Sequence, residues 1–450
     1  MLVVLWICTI IIFMSAYLIN KRDLLAPSVL CSMIYVICIM FTVLNQRAWG
    51  VKYSDNAFFV MIMMILSFVL PSIFFNMKRN RVVLHSDSEY ELEIIKFDKG
   101  ILIVCLIVDI LISIYYFREV YRISLIGGNP LGIAGMFSYY RMYTANNVDA
   151  EGLSTLANQF LKLGRSFGFT ALFILMYNNQ IDRNIKRDYW LIPFVVLTAI
   201  QNIIGGGRGY ILWLVSTGFM TSYIITMKKT NWKKIVSFKY IKIGLRVMIA
   251  VFVGFYLLKY VVRVGNTVNS ILDYIGYYAG GSIQNFNLYL ENPPTGSQQI
   301  WGQETFMGIY STLQKFGFVD VSKIYLTNSN LEFRRSNGIS IGNVYGAVRR
   351  YYNDFGIMGV IVLQTLCSVF FNTFYDRIKH QNKHKTKFTY FLYAYMSYHI
   401  FEMPIDDTFY KFFISFNFLT TLIVLFAVYY MFTCVKIRGL KIKYRKKNIV

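Results

Sequence analysis

The length of its apolar runs constrains this chain more than any other feature. A helix needs about 17–25 mostly apolar residues to cross a hydrocarbon core roughly 30 Å thick. Runs that meet this need occupy 2–19, 28–44, 57–75, 101–117, 153–177, 189–204, 209–227, 245–262, 356–374, 388–402 and 412–433. A soluble domain cannot hide so much apolar surface, whereas a bilayer lets it face outward. The composition agrees, with 56% hydrophobic and only 15% charged residues. The expected fold is therefore an all-α polytopic integral membrane protein with about 11 transmembrane helices, forming a single domain over 1–450. The first run lacks a basic leader and a small-residue cleavage site, so it reads as a retained helix and not a signal peptide.

A net charge of +23 would suit a nucleic-acid binder, but Lys and Arg fall in short clusters between the apolar runs. That is the pattern of topology signals, and it argues against a nucleic-acid partner. If the tail "KIRGLKIKYRKKNIV" is cytoplasmic, alternation also puts four other short basic loops inside: Lys21/Arg22, Lys78/Arg79/Arg81, Arg183/Lys186/Arg187 and "KKTNWKK" at 228–234. The loop "DRIKHQNKHKTK" at 376–387 joins them there. The N-terminus is then outside and the C-terminus inside. The outer face receives a loop at 118–152, the turn 205–209, a very large loop at 264–355 and a short acidic loop at 401–411. A structureless loop as long as 264–355 would be unusual, so amphipathic helices are expected within it. The six cysteines lie in or beside apolar runs without a CxxC pair, which points to neither disulfides nor zinc.

The candidate chemistry gathers on the outer face. In "NIIGGGRGYILWL", Arg208 stands among Gly207, Gly209 and their neighbours at the junction of two spans. Glycine permits sharp bends and close approach to backbone amides, and a helix starting at Gly209 would aim its positive end at the same spot. A planar guanidinium beside bare amides suits phosphate; the alternative is a flexible hairpin whose arginine snorkels. The stretch "FRRSNGISIGNVYGAVRRYYNDFGIMGV" (333–360) supplies Arg334, Arg335, Arg349 and Arg350, with Asn343, Tyr345, Tyr351, Tyr352, Asn353 and Asp354 among them. If 343–355 is helical, Tyr345, Arg349 and Tyr352 share a face and Arg350 pairs with Asp354. Arginines suit phosphate, tyrosine rings suit sugar faces, and Asp354 is a candidate general base. The plainer reading is a solvated helix start with one surface ion pair.

Lys162 and Arg165 lie within the run 153–177, where cations are costly unless they face a cavity or a partner such as Asp109. Arg141 in "SYYRMY" is a weaker candidate of the same kind. His399 stands near Glu402, Asp406 and Asp407 and is a candidate acid or base, against the reading of a satisfied polar residue. Lys259 and Arg263 end a run and read as snorkelling. There is no HExxH, GxxxxGK[ST], GxSxG or DxD, and the four histidines make no metal pattern. No metal and no cofactor is expected.

Many spans, a GxRG-type outer turn, a large late outer loop and "YNDFGIMGV" leading into the next helix together resemble the Wzy-type oligosaccharide repeat-unit polymerases, relatives of the O-antigen ligases. In residues the resemblance rests on "GGGRG" (205–209) and "NVYGAVRRYYNDFGIMG" (343–359). It implies a bacterial cytoplasmic-membrane glycosyltransferase with a GT-C-like fold and no metal. It also implies a donor glycan on undecaprenyl diphosphate and an acceptor lipid-linked repeat unit, for O-antigen, capsule or exopolysaccharide synthesis. The partners it implies are that lipid-linked oligosaccharide, membrane lipids, a flippase and a chain-length regulator. Phosphate contact is carried to Arg208, Arg349 and Arg350. The alternatives are an O-antigen ligase and a transporter of the same lipid-linked sugar. The family's two large outer loops are unequal here, 118–152 being modest beside 264–355.

Overall fold

The computed structural model describes residues 1–79, 92–146, 151–205, 209–232, 271–294, 300–319, 331–380, 387–438 and 441–444, with short stretches between 242 and 257. Among them, eight helices are long and apolar enough to cross a membrane. They are α1 (Leu2–Ile19), α2 (Pro27–Leu44), α3 (Asp55–Val69) running on into α4 (Pro71–Arg79), α5 (Lys99–Ile126), α7 (Thr155–Ile181), α10 (Gly209–Lys229), α14 (Ala347–His380) and α17 (Phe416–Cys434). The chain is a membrane-embedded, all-α polytopic protein. Local chemistry sets several of the starts. Ser54, Ser154 and Ser415 each accept a hydrogen bond from the amide three residues on, and Pro27 opens α2.

Two expected spans are helical segments shorter than those eight. The run 189–204 yields α9 (Ile192–Ile204), whose 13 residues cover about 20 Å. Pro193 near its start and Gly205 at its end confine it. The run 388–402 breaks at Ser397 into α15 (Lys387–Met396) and α16 (Tyr398–Glu402). Most of 245–262 lies outside the described residues.

Large apolar side chains point outward in rows suited to lipid. Ile7, Ile11, Met14 and Leu18 do so on α1, and Leu419, Ile423 and Phe426 on α17. Inside, Gly164 and Gly168 on α7 let α9 approach closely. A Cβ at Gly168 would lie 1.9 Å from Thr198 Oγ1, and one at Gly164 would lie 2.7 Å from Gln201 Nε2. Small residues four apart serve this purpose in membrane bundles.

One end of the bundle, here the loop face, carries α6 (Met136–Asn146), α11 (Ile271–Ala279), α12 (Gly281–Glu291), α13 (Met307–Lys315) and a hairpin of β1 (Arg334–Ser336) with β2 (Ile339–Gly342). The expected helices in the large loop are thus present, and a hairpin accompanies them. Asn337 and Gly338 turn it with φ of 49° and 75°, the left-handed pair a tight two-residue turn requires. Buried amides then fasten these pieces. Asn285 donates to the carbonyls of Ile341 and Val344, and Asn287 accepts from the Ser54 amide and donates to the Lys52 carbonyl. At the opposite end, Asp23 accepts from Tyr223 and Tyr375 and pairs with Lys379, tying the α1–α2 turn to α10 and α14. A short α8 (Ile185–Asp188) and the hairpin of β3 (Val435–Arg438) with β4 (Lys441–Tyr444) also lie there.

Candidate functional site

The arginines of 333–360 do not stand free. The helix α14 begins at Ala347, so Tyr345 precedes it, yet its ring still packs on Arg349. The Arg349 guanidinium lies 4.6 Å from the Tyr289 ring centre and 4.4 Å from that of Tyr345. Its two terminal nitrogens reach Glu332 at 2.7 Å and Glu304 at 3.4 Å. Arg350 pairs with Asp406 at 2.6 Å and donates to the Glu304 carbonyl at 3.2 Å. Lys411 holds the other Asp406 oxygen at 2.6 Å. Arg334 reaches Glu332, the carbonyls of Leu288 and Asn292, and the Tyr345 hydroxyl.

The electrostatics follow from these contacts. Burial pushes the Glu304 carboxyl up, only partly offset by Arg349 and Arg350. Burial acts on Glu332 in the same sense, but the Arg349 charge and the Arg334 hydrogen bond hold it below its usual range. Asp406 is likewise held down against its burial by Arg350 and Lys411. Asp407 is pushed up to about 7 by burial and by the neighbouring Asp406 charge.

This arrangement corrects the expected division of labour. Arg349 and Arg350 are both buried and already bind protein carboxylates, so in this structure they do not present their charge to a phosphate. The expected Arg350–Asp354 surface pair gives way to a buried one with Asp406. Asp354 accepts from the Thr305 amide at 2.7 Å and the Glu304 amide at 3.4 Å, and so fastens the 300–306 segment across the start of α14. That use leaves it poorly placed as a general base. Tyr351 is fully buried beside Tyr410. His399 is also fully buried, between the Phe371 and Phe409 rings, with its Nδ1 3.8 Å from Asp407. Its ring has no exposed surface. Arg335 and Arg141 are exposed, and Asn343 is half-buried after β2. Gly207 and Arg208 lie outside the described residues, while Gly209 is the first residue of α10.

The open cationic groups are elsewhere. A cleft of about 470 Å³ descends from the loop face between α7 and α17. From α7 it takes Thr155, Asn158, Lys162, Arg165 and Phe169, one face at helical spacing, and from α17 Asn417, Thr421 and Leu425. Tyr210, Tyr395 and Phe412 add rings, and Lys315 closes the rim from α13. The lining is polar toward the loop face and apolar toward Phe169 and Leu425. It holds three cations and no Asp or Glu among the described residues. A second cavity of about 190 Å³ adjoins it, sharing Ser311, Lys315, Phe412 and Asn417 and adding Lys411.

Lys162 donates to Asn417 Oδ1 at 3.0 Å and Thr420 Oγ1 at 2.6 Å, so a polar seam takes the place of the expected pair with Asp109. Asp109 instead accepts from Gln201 at 2.9 Å. Arg165 donates through Nε to Asn202 Oδ1 at 3.2 Å and lies over the Tyr210 ring at 3.6 Å. The sequence reading missed Lys315, Tyr210, Tyr395 and Asn417. Lys315 is one basic residue among many in a long loop, Tyr210 follows the GGGRG turn where the arginine held the interest, and Tyr395 sits in an aromatic run without a motif. Only Asn417 gave a signal, as an amide at the start of a span.

No family model, no curated protein and no solved structure matches this chain. The cleft must therefore be read from its own chemistry. Its volume is that of a small-molecule headgroup, and three cations without an acid among the described residues give it a positive lining.

Proposed function

We propose that this chain is a membrane glycosyltransferase of the oligosaccharide-polymerase kind, acting on a glycan carried by a lipid diphosphate. The observation that carries the reading is the acid-free cleft lined by Lys162, Arg165 and Lys315 at the loop face. The short basic loops at 21–22 and 183–187 and the end of α14 at Arg377 and Lys379 fall at the opposite end, which supports assigning the loop face to the outside of the bacterial cytoplasmic membrane. The donor would place its diphosphate among the three cations and its first isoprenes toward Phe169 and Leu425. The acceptor sugar hydroxyl attacks the anomeric carbon, a C–O bond forms, and the bond to the diphosphate breaks. Charge developing on the leaving diphosphate is what fixed cations stabilise. Among the described residues no carboxylate lines the cleft, and in this reading the acceptor proton passes to the departing phosphate oxygen. Arg349 and Arg350 serve as framework.

The test uses purified full-length protein in detergent with synthetic undecaprenyl-diphosphate-linked repeat units and EDTA, followed by gel analysis. A glycan ladder from wild type, lost in Lys162→Ala and Arg165→Ala, is the expected result. Transfer only to a lipid A core acceptor would make the chain a ligase. Movement of the lipid between leaflets of liposomes, with no transfer, would overturn the enzyme reading.

A further inference from the structure

Behind the cleft, an aromatic stack bears on one of its cations. Tyr210, the second residue of α10, lies nearly parallel to Trp213, with ring centres 5.6 Å apart and planes at 9°. Trp213 is nearly parallel to Tyr398 as well, at 4.6 Å and 10°. Tyr395 packs on the same indole at 4.6 Å. Trp213 is locked in turn, since its Nε1 donates to the Tyr395 carbonyl at 2.7 Å and Phe169 meets it edge-on. The far end of this stack bears on the Arg165 guanidinium, whose carbon sits 3.6 Å above the Tyr210 ring centre.

Arg165 is thus held in two ways. The Tyr210 ring fixes the plane of the guanidinium. Asn202 takes the Nε proton, and its own Nδ2 is committed to the Thr198 carbonyl at 2.7 Å, which orients the Oδ1 toward Arg165. The two terminal nitrogens have no hydrogen-bond partner among the described residues, and Arg165 lines the cleft. A guanidinium fixed on one face and at Nε presents its remaining N–H groups as a rigid fork. Lysine offers no such geometry, being a point charge on a flexible stem.

We infer that Tyr210 is a positioning residue. Backed by Trp213 and Tyr398, it presents Arg165 as a preformed fork that takes two oxygens of a diphosphate. The inference rests on the reading of the cleft as a diphosphate site, and it adds that recognition there depends on geometry as well as charge. The same diphosphate chemistry could come from a lipid headgroup or from a free anion, so two probes are needed.

The experiment measures binding of geranylgeranyl diphosphate and of inorganic pyrophosphate to full-length protein in detergent by calorimetry. The proteins are wild type, Tyr210→Phe, Tyr210→Leu, Arg165→Lys and Lys162→Ala. Tighter binding of the prenyl probe marks a lipid-borne ligand, and equal binding marks a free one. The expected result is that Tyr210→Phe, which keeps the ring, stays within about twofold of wild type, while Tyr210→Leu weakens binding about tenfold. Arg165→Lys, which keeps the charge, should weaken it about as much. If Arg165→Lys binds like wild type while Lys162→Ala does not, the fork is refuted and the anion site stands. If Tyr210→Leu binds like wild type, the positioning role is refuted. If wild type binds neither probe, the diphosphate reading fails and the inference fails with it.

Discussion

Replacing Arg349 with methionine tests whether the buried network holds the loop face to the bundle. Arg349 is 2% exposed, and its partners differ sharply, Glu304 being 1% exposed and Glu332 32% exposed. Loss of the guanidinium leaves Glu304 buried without its ion-pair partner and with only the Arg350 charge nearby, and removing one partner of a buried pair costs about 3–5 kcal/mol. The Glu332 contact is half-solvated, so Glu332→Gln should cost about 1 kcal/mol or less. The double variant Arg349→Met/Glu304→Gln removes the stranded charge as well and should recover most of the loss. With the single variant Glu304→Gln added, wild type, the two singles and the double form a cycle with a coupling of about 2–3 kcal/mol between residues 349 and 304. Unfolding in mixed micelles with increasing SDS measures these differences. Protonation gives an independent sign. Burial has already raised the Glu304 carboxyl, so its ionisation opposes folding as pH rises above its unfolded value of 4.5. Arg349→Met removes the larger of the two counter-charges that limit this effect, so its deficit should grow on going from acid to neutral pH. A deficit under about 1 kcal/mol, or one independent of pH, would refute the buried-charge argument.

Three other outcomes follow from single positions. Gly356 interrupts α14 at φ 62°, ψ −158°, a region essentially closed to other residues, and a Cβ there meets nothing within 4 Å. Gly356→Ala should therefore cost about 1–3 kcal/mol from backbone strain alone, measured by the same SDS titration; a neutral result would mean the kink is not required. Gly168→Leu should separate α7 from α9, because even a Cβ would lie 2.5 Å from Thr198 Cβ and 3.1 Å from the Phe194 carbonyl. Lost monodispersity on gel filtration is the expected sign, and an unchanged, equally stable protein would refute the close approach. Asp407 is raised from 3.8 to about 7, so in the native state it holds a proton that the unfolded chain has released. Its stabilising effect is present below about 4 and is lost as pH rises toward 7, so Asp407→Asn should flatten the pH dependence of stability across that window. An unchanged slope would refute the assignment.

The sequence reading recovered what local rules control and missed what depends on distant partners. Apolar run length placed all eight long helices, because lipid imposes it directly. The runs 189–204 and 388–402 give shorter regular helices than their apolar length suggests, because apolar content does not report local starts and irregularities such as those at Pro193 and Ser397. The hairpin was legible in the Asn337–Gly338 pair between strand-like residues, but the arginines around it drew the attention. Those arginines looked free because their counter-charges are remote in the chain, 45 residues from Arg349 to Glu304 and 56 from Arg350 to Asp406.

Lys162 and Arg165 were legible for the opposite reason. A cation inside an apolar run has few affordable solutions, and a polar cleft is one of them. The chain has 46 basic residues and 23 acidic ones, so the acids cannot neutralise every cation. At the loop face, Glu304, Glu332 and Asp406 are spent on Arg334, Arg349, Arg350 and Lys411. That pairing welds the 300–306 segment and the hairpin to the start of α14, and it leaves Lys162, Arg165 and Lys315 around a cleft with no acid of its own. The cluster richest in arginine is therefore the scaffold. The proposed anion site lies where the described carboxylates run out, and no count of arginines along the chain could have separated the two.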